Sequence, residues 1–263
     1  MGDAPEKDQD NPFLALVEEI RSKSPPAARV ESDHECFDGM VEDDKGRWVP
    51  CPVCKARRDE AMLRMRLQSS GIAERYLDVG WDDLEMLPPF PLVRSVAERI
   101  GDLIHAGESA VFTGPVGTGK TQAGLLLVRE AVRAGFEARV VNVGWLGVEV
   151  RSTWNGGEGI TENEAVRLMA QPDLLLLDDV GAGETRNAEL ERRLLYLALE
   201  ARNQNRRPTI ITTNLGVGSK SASRATLEQY LGGRIWDRLK PLRVVAFKHG
   251  KNFREREISV WAN

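Results

Sequence analysis

Residues 111–124 read "VFTGPVGTGKTQAG". Within them, "GPVGTGKT", from Gly114 to Thr121, matches the pattern G-x-x-x-x-G-K-[ST]. A triphosphate needs several backbone N–H groups at close range, and side chains would block that approach, so glycines line the loop. The loop residues Gly114, Pro115, Val116, Gly117, Thr118, Gly119, Lys120, Thr121 and Gln122 are therefore expected to cradle a nucleotide. Lys120 brings a point charge to the β and γ phosphates, and the Thr121 hydroxyl can take one Mg²⁺ position. An apolar strand, "SAVFTG", precedes the loop, and "KTQAGLLLVREAVRAG" follows as a helix whose N-terminus faces the anion and whose stop is Gly135.

Downstream, the rhythm of strands and helices continues. "EARVVNV", "DLLLLDD", "PTIITTN" and "LRVVAFK" read as strands, and "LVRSVAERIGDLI" and "NAELERRLLYLALEARNQN" as helices. This alternation indicates a parallel sheet between layers of helix. "DLLLLDD" is apolar without alternation, as a strand buried on both faces should be. It ends in Asp178-Asp179 at the edge of the sheet where ligands of open α/β folds bind. Asp178 is assigned to magnesium, and Asp179 to the base that orients or deprotonates the attacking water. Asn214 or Thr213, at the tip of "TIITTN", is expected to touch the γ-phosphate or that water.

Taken in order and spacing, "GPVGTGKT", "DLLLLDDVGAGE", "RRPTIITTNL" and "GGRIWDRL" resemble the AAA+ ATPases of the DnaC/DnaI/IstB group, over about residues 72–256. The resemblance implies an AAA+ P-loop NTPase core with a small N-terminal helical, zinc-binding region. It implies an ATP-dependent, Mg²⁺-dependent loader of a DnaB-type replicative helicase onto single-stranded DNA, self-associating into an oligomer or spiral. The alternative within the group is an IstB-type transposition helper acting on duplex DNA. A third class is a regulatory nucleotide-binding module with no DNA role. "GGRIWDRL" resembles the arginine-finger segment of the group, so Arg234 and Arg238 are its candidates, four apart as on one helix face. "HGKNFRE" resembles the sensor-2 stretch, which makes Arg254 a candidate for a contact to the γ-phosphate within the same chain; Asn252 stands where many relatives carry Ser. Residues 144–166 fill the place of a helical insertion used by relatives for assembly or DNA contact, and Trp145, Arg151 and Trp154 there suit either stacking on single strands or packing in a core or subunit contact.

Towards the N-terminus, His34, Cys36, Cys51 and Cys54 form H-x-C-x₁₄-C-x₂-C. The C-x₂-C turn aims two thiolates at one point, and a short segment with little apolar surface gains its stability from a metal, so these four residues are read as zinc ligands. Asp33 and Asp38 compete for the fourth place, and reduced thiols without metal or redox chemistry are the other readings. Residues 1–70 are expected to form a helicase-interaction region, with the Cys/His segment at 33–58 and a short amphipathic helix at 10–24; 71–91 form a linker ending in "LPPFPL", and 92–263 the ATPase domain.

Composition bounds these readings. Of the 263 residues, 41% are hydrophobic and 29% charged, as in ordinary globular proteins, and no apolar run approaches the roughly 20 residues that span a bilayer. The acidic start "MGDAPEKDQD" lacks a signal sequence, and Glu6 stands where a myristoylation motif needs Ser or Thr, so a cytoplasmic protein with no membrane partner is expected. Net charge is −4 but unevenly spread. Residues 1–60 carry 9 Lys/Arg against 15 Asp/Glu, a local −6, while residues 234–256 carry 8 Lys/Arg against 2 acidic residues, a local +6. The second region can attract a polyanion or be a solvated basic face.

Overall fold

β-Branched and leucine-rich runs too short for helices build the sheet that organises this protein. In a computed structural model, residues 36–154, 156–181, 188–218 and 226–254 are described. His34 and the expected helix at 10–24 lie outside them. The chain divides into two units, Met1–Asp59 and Glu60–Asn263.

In the smaller unit, β1 (Met40–Glu42) and β2 (Trp48–Pro50) form an antiparallel hairpin, with Val41 opposite Val49. Asp43 closes its turn, its Oδ1 accepting the N–H groups of Lys45 and Arg47 at 2.9 Å. The Arg47 side chain, also bonded to Asp43, holds this carboxyl below its ordinary pKa. The helix α1 (Pro52–Ser69) follows, with proline in its first turn where no amide partner is needed. Cys54 sits in the first turn of this helix, and the residues between Cys36 and Cys51 carry the hairpin.

In the larger unit, five strands of the described residues pair in the order β4–β5–β6–β3–β7, all parallel. These are β3 (Ser109–Thr113), β4 (Ala138–Asn142), β5 (Leu174–Val180), β6 (Thr209–Thr213) and β7 (Leu242–Ala246). Leu174 and Leu176 pack into one apolar cluster, and Leu175 and Leu177 into another. Successive strand residues point to opposite faces, so the unbroken leucine run follows from both faces being covered. One face carries α2 (Phe90–Ala97), α3 (Ile100–Ala106) and α4 (Lys120–Arg133); the other carries α5 (Val143–Trp154), α6 (Glu162–Ala170) and α7 (Ala188–Gln204). α8 (Leu227–Leu231) and α9 (Gly233–Arg238) precede β7. The expected helix "LVRSVAERIGDLI" is two helices, α2 and α3, parted at Glu98 and Arg99.

Arg202 in α7 is 1% exposed and binds the start of β6 and the end of α6 together. Its Nη1 donates to Met169 O at 2.9 Å and Pro172 O at 2.7 Å, its Nη2 to Pro208 O at 2.5 Å, and its Nε to Thr209 Oγ1 at 3.0 Å. Carbonyls past the end of a helix lack intrahelical partners, and a guanidinium fork supplies several donors at once. Beyond β4, the Val140 N–H donates to Ser70 O at 2.7 Å, so the segment after α1 lies along that edge of the sheet. No helix among the described residues is long and apolar enough to cross a membrane.

Candidate nucleotide-binding site

The glycine loop joins the end of β3 to the start of α4. Lys120 Nζ, 7% exposed as a residue, donates to Gly114 O at 2.9 Å and Pro115 O at 2.6 Å, and Thr118 Oγ1 donates to Pro115 O at 2.9 Å. Burial lowers the Lys120 pKa, and the nearby Asp179 and Asp178 charges oppose that fall.

Two glycines show why the loop needs them. Gly114 (φ 152°) would place a Cβ 2.3 Å from Phe247 O, and Gly117 (φ 79°) would place one 1.7 Å from Asn252 Oδ1. Both clashes come from the segment after β7, which runs against the loop. Phe247 N–H donates to Thr113 O at 2.8 Å and Phe253 N–H to Gly117 O at 2.9 Å. His249 Nδ1 accepts the Lys251 N–H at 3.2 Å, so its proton resides on Nε2, which donates to Thr118 O at 3.1 Å. The rings of His249, Phe90 and Phe253 are in mutual contact, with centroids 5.5–6.2 Å apart.

Opposite the loop, Asp178 Oδ1 accepts hydrogen bonds from Thr121 Oγ1 at 2.8 Å and Thr212 Oγ1 at 2.6 Å. Thr121 and Asp178 thus form a pair of hard oxygen ligands at the helix N-terminus, a donor set that suits Mg²⁺ with water completing its shell. Burial raises the pKa of Asp179, the adjoining Asp178 charge raises it further, and Lys120 and Arg254 pull it back. A carboxyl so raised is a better proton acceptor than a surface aspartate.

A cavity of about 690 Å³ connects these groups. Of the residues expected at the site, Val116, Gly117, Gly119, Lys120, Thr121, Gln122, Asp178, Asp179, Asn214 and Arg254 line it. Gly114, Pro115 and Thr118 face Lys120 and the neighbouring segment through their carbonyls. Arg234 and Arg238 are not in the lining. They differ from each other: Arg238 is ion-paired with Glu200 of α7, and its carbonyl accepts from Asn203 Nδ2 at 3.1 Å, whereas Arg234 is exposed with no ion pair among the described residues. Asp237 pairs with Lys240 at 2.7 Å, and its charge also acts on Arg238.

Sequence reasoning passed over Tyr76, Thr212, His249 and Phe253, and named Trp145 for stacking or packing rather than for this site. Tyr76, Trp145, Thr212 and Phe253 line the cavity, and His249 holds the loop. Thr212 lies in the same "ITTN" run as Asn214, and His249 in the same "HGKNFRE" stretch as Arg254, so both motifs pointed near them. Trp145 and Trp154 are 69% and 58% exposed, which excludes the core reading of these side chains in the isolated chain.

In the smaller unit, the ligand atoms of Cys36, Cys51 and Cys54 lie within 4.8 Å of one another, and none of the three is in a disulfide. Cys36 Sγ and Cys54 Sγ stand 3.6 Å apart. Tetrahedral zinc with Zn–S bonds of about 2.3 Å separates its sulfurs by about 3.8 Å, so these thiols fit the ion. The bond to Cys36, burial and the neighbouring Cys51 push the Cys54 thiol up to about 11. Asp38 is not part of the cluster.

The fold is similar to that of solved structures. The chain superposes on the crystal structure of DnaI with a TM-score of 0.56 at 20% identity, covering 72% of this chain and 100% of that one. For the crystal structure of the DnaC helicase loader the TM-score is 0.53 at 20% identity, covering 67% and 100%. In sequence it is 25% identical over 187 residues to the replicative helicase loader DnaC of Buchnera aphidicola subsp. Baizongia pistaciae (strain Bp), 70% of this chain and 72% of that protein. It is 27% identical over 162 residues to a protein of Mycobacterium tuberculosis (strain ATCC 25618 / H37Rv) described as ATP-binding and located in an insertion sequence, 60% of this chain and 61% of that protein. Residues 92–258, with the whole phosphate loop, both aspartates and Asn214, match the family described as IstB-like ATP binding protein. This chain is an AAA+ protein of the DnaC/IstB-like group and belongs to the IstB-like ATP-binding family.

Proposed function

We propose that the protein is an ATP-hydrolysing loader that places a DnaB-type replicative helicase on single-stranded DNA. Alignment with proteins named replicative helicase loaders over about 70% of both chains supports this most directly. In this reading, the loop N–H groups and Lys120 bind the triphosphate, and Thr121 and Asp178 hold Mg²⁺. The ion, when bound, neutralises charge on the β and γ phosphates. Asp179 accepts the proton of the attacking water, Asn214 orients that water, and Arg254 stabilises the γ-phosphate from the same chain. A neighbouring subunit supplies Arg234 or Arg238 to the transferring phosphoryl group, a contribution of about 10³ to 10⁵ in rate. Adjacent subunits joined in this way form a short spiral on the DNA strand. The three cysteines, completed by His34, hold zinc and shape residues 1–70 as the helicase-docking region.

Capture of a purified DnaB-type helicase by the full chain and by a chain lacking residues 1–70 tests the docking. Only the full chain should retain the helicase, and equal retention by both would reject the claim. The match to the IstB-like family and the insertion-sequence relative favour a second reading, a transposition helper acting on duplex DNA. ATP turnover stimulated by duplex more than by single strands would select it. No stimulation by either at low salt would point to a regulatory nucleotide module.

A further inference from the structure

We propose that Thr212 is the positioning residue of the acidic pair, its one hydroxyl turning both carboxylates toward the phosphate cavity. The proposal rests on the Mg-nucleotide reading of the site and not on what the nucleotide drives.

Pairing between β5 and β6 runs Leu175–Thr209, Leu176–Ile210, Leu177–Ile211, and resumes at Val180–Thr213. Between these points β5 has two residues, Asp178 and Asp179, where β6 has one, Thr212. This is a β-bulge. In a regular strand two consecutive side chains point to opposite faces, and only one of the two aspartates would reach the ligand side. Both line the cavity here. The extra residue takes a left-handed backbone, Asp179 φ 61°, which a non-glycine residue adopts at a cost. It also leaves one amide without a ladder partner.

Thr212 answers both needs. Its Oγ1 accepts the Asp179 N–H at 2.8 Å and donates to Asp178 Oδ1 at 2.6 Å. A hydroxyl has one proton to give and lone pairs to receive, so a single atom satisfies both bonds. Thr212 is 1% exposed. Asp178 Oδ1 is then held by two hydroxyls, those of Thr121 and Thr212, and Oδ2 has no hydrogen bond among the described residues. The carboxylate is fixed in rotation with one oxygen left for a cation. Thr213, next in the strand, donates instead to Val180 O at 2.7 Å and holds the far side of the bulge.

The test is made on the full chain. Thr212→Val keeps the shape and removes the hydroxyl; Thr212→Ser keeps the hydroxyl. Affinity for a fluorescent ATP analogue is measured in EDTA and in excess Mg²⁺, with kcat and KM for ATP alongside. In Thr212→Val the EDTA affinity should stay within about twofold of the parent, because the loop and Lys120 are untouched, while the gain from Mg²⁺ should fall about tenfold, the worth of one lost buried hydrogen bond to a charged group. kcat should fall by at least as much with little change in KM, and Thr212→Ser should restore both. A Thr212→Val protein with its Mg²⁺ gain intact, or a Thr212→Ser protein as defective as Thr212→Val, overturns the proposal. Amide hydrogen exchange of the unmutated chain is independent of how any variant folds: the Asp179 amide should be protected, and rapid exchange there would also overturn it. A parent chain that binds Mg-ATP but does not turn it over counts against hydrolysis alone, since the Mg²⁺ gain still decides the role of Thr212. A parent with no Mg²⁺ gain removes the metal role of Asp178, and this proposal with it.

Discussion

Arg202→Met should unfold the protein far more easily without touching the phosphate site. The guanidinium lies at the end of the sheet where β6 starts and α6 ends, and burial pushes its pKa down to about 9, so it is still charged at neutral pH. Methionine fills similar volume but donates nothing. Three carbonyls bonded at 2.9, 2.7 and 2.5 Å, those of Met169, Pro172 and Pro208, lose this donor at once. A buried acceptor left without its donor costs about 1–3 kcal/mol. Pro208 O keeps the longer bond from Leu175 N–H, at 3.4 Å, so the low end of that range applies to it. Removing a costly buried charge favours the variant and offsets part of the summed loss, which leaves about 3 kcal/mol. At about 2–4 °C per kcal/mol for a chain of this size, the thermal midpoint falls by roughly 6–12 °C. Urea denaturation followed by circular dichroism gives the free energy, and nucleotide titration below the transition gives the affinity. Arg202→Lys should recover part of the loss, because one ammonium reaches fewer carbonyls than the fork. A Met variant within 1 kcal/mol of the parent would show that the guanidinium's bonds only repay its own desolvation, and the accounting would be wrong.

Other changes act at the site itself. Asp179→Asn should bind ATP and slow its hydrolysis by about 10²–10⁴, read in single-turnover assays. The same variant should melt higher than the parent at neutral pH. Burial and Asp178 raise the folded-state pKa of Asp179 above its unfolded value, so its charge opposes folding as pH rises through that raised value. The difference should vanish below the ordinary aspartate range, and an advantage over the parent no larger at pH 7 than at pH 3 would contradict the assignment. Gly117→Ala should weaken ATP binding, with recovery when Asn252→Ala is added to remove the 1.7 Å clash; no recovery in the double variant would show that the left-handed backbone alone is responsible. Glu200→Gln should increase ATP-dependent assembly, seen by native mass spectrometry, if Arg238 must leave its ion pair to serve a neighbour; unchanged assembly, with loss in Arg234→Ala, would give that role to Arg234. Removing zinc with a chelator should lower the melting temperature of the parent and leave Cys51→Ser unaffected.

Much of this site is readable from local sequence because its logic is local. Glycines, a lysine and a threonine in eight consecutive residues can serve few ends other than a phosphate loop, and four leucines between charges mean a strand covered on both sides. The bulge is different. Nothing in "LLLLDDV" says that Asp178 and Asp179 face the same way, because that depends on a register with "IITTN", which lies more than thirty residues on. The split between α2 and α3 escaped for another reason: apolar spacing continues across Glu98 and Arg99, and both short helices pack on α4. Arg234 and Arg238 looked equivalent in sequence, and only a glutamate 38 residues away tells them apart.

The basic stretch between β7 and its surroundings has a consequence for any polyanion. Arg238, Lys240, Arg243 and Lys251 are bound to Glu200, Asp237, Glu108 and Glu85. Among the described residues, Arg234, Lys248 and Arg254 remain as cations there without an ion pair. Nucleic acid releases roughly 0.7 of a counterion per single-strand phosphate neutralised. With Arg254 turned to the nucleotide, a strand laid on Arg234 and Lys248 would therefore show a logarithmic salt slope of about −1.4 per subunit, gentle for a DNA-binding protein, and tight attachment would have to come from many subunits sharing one strand.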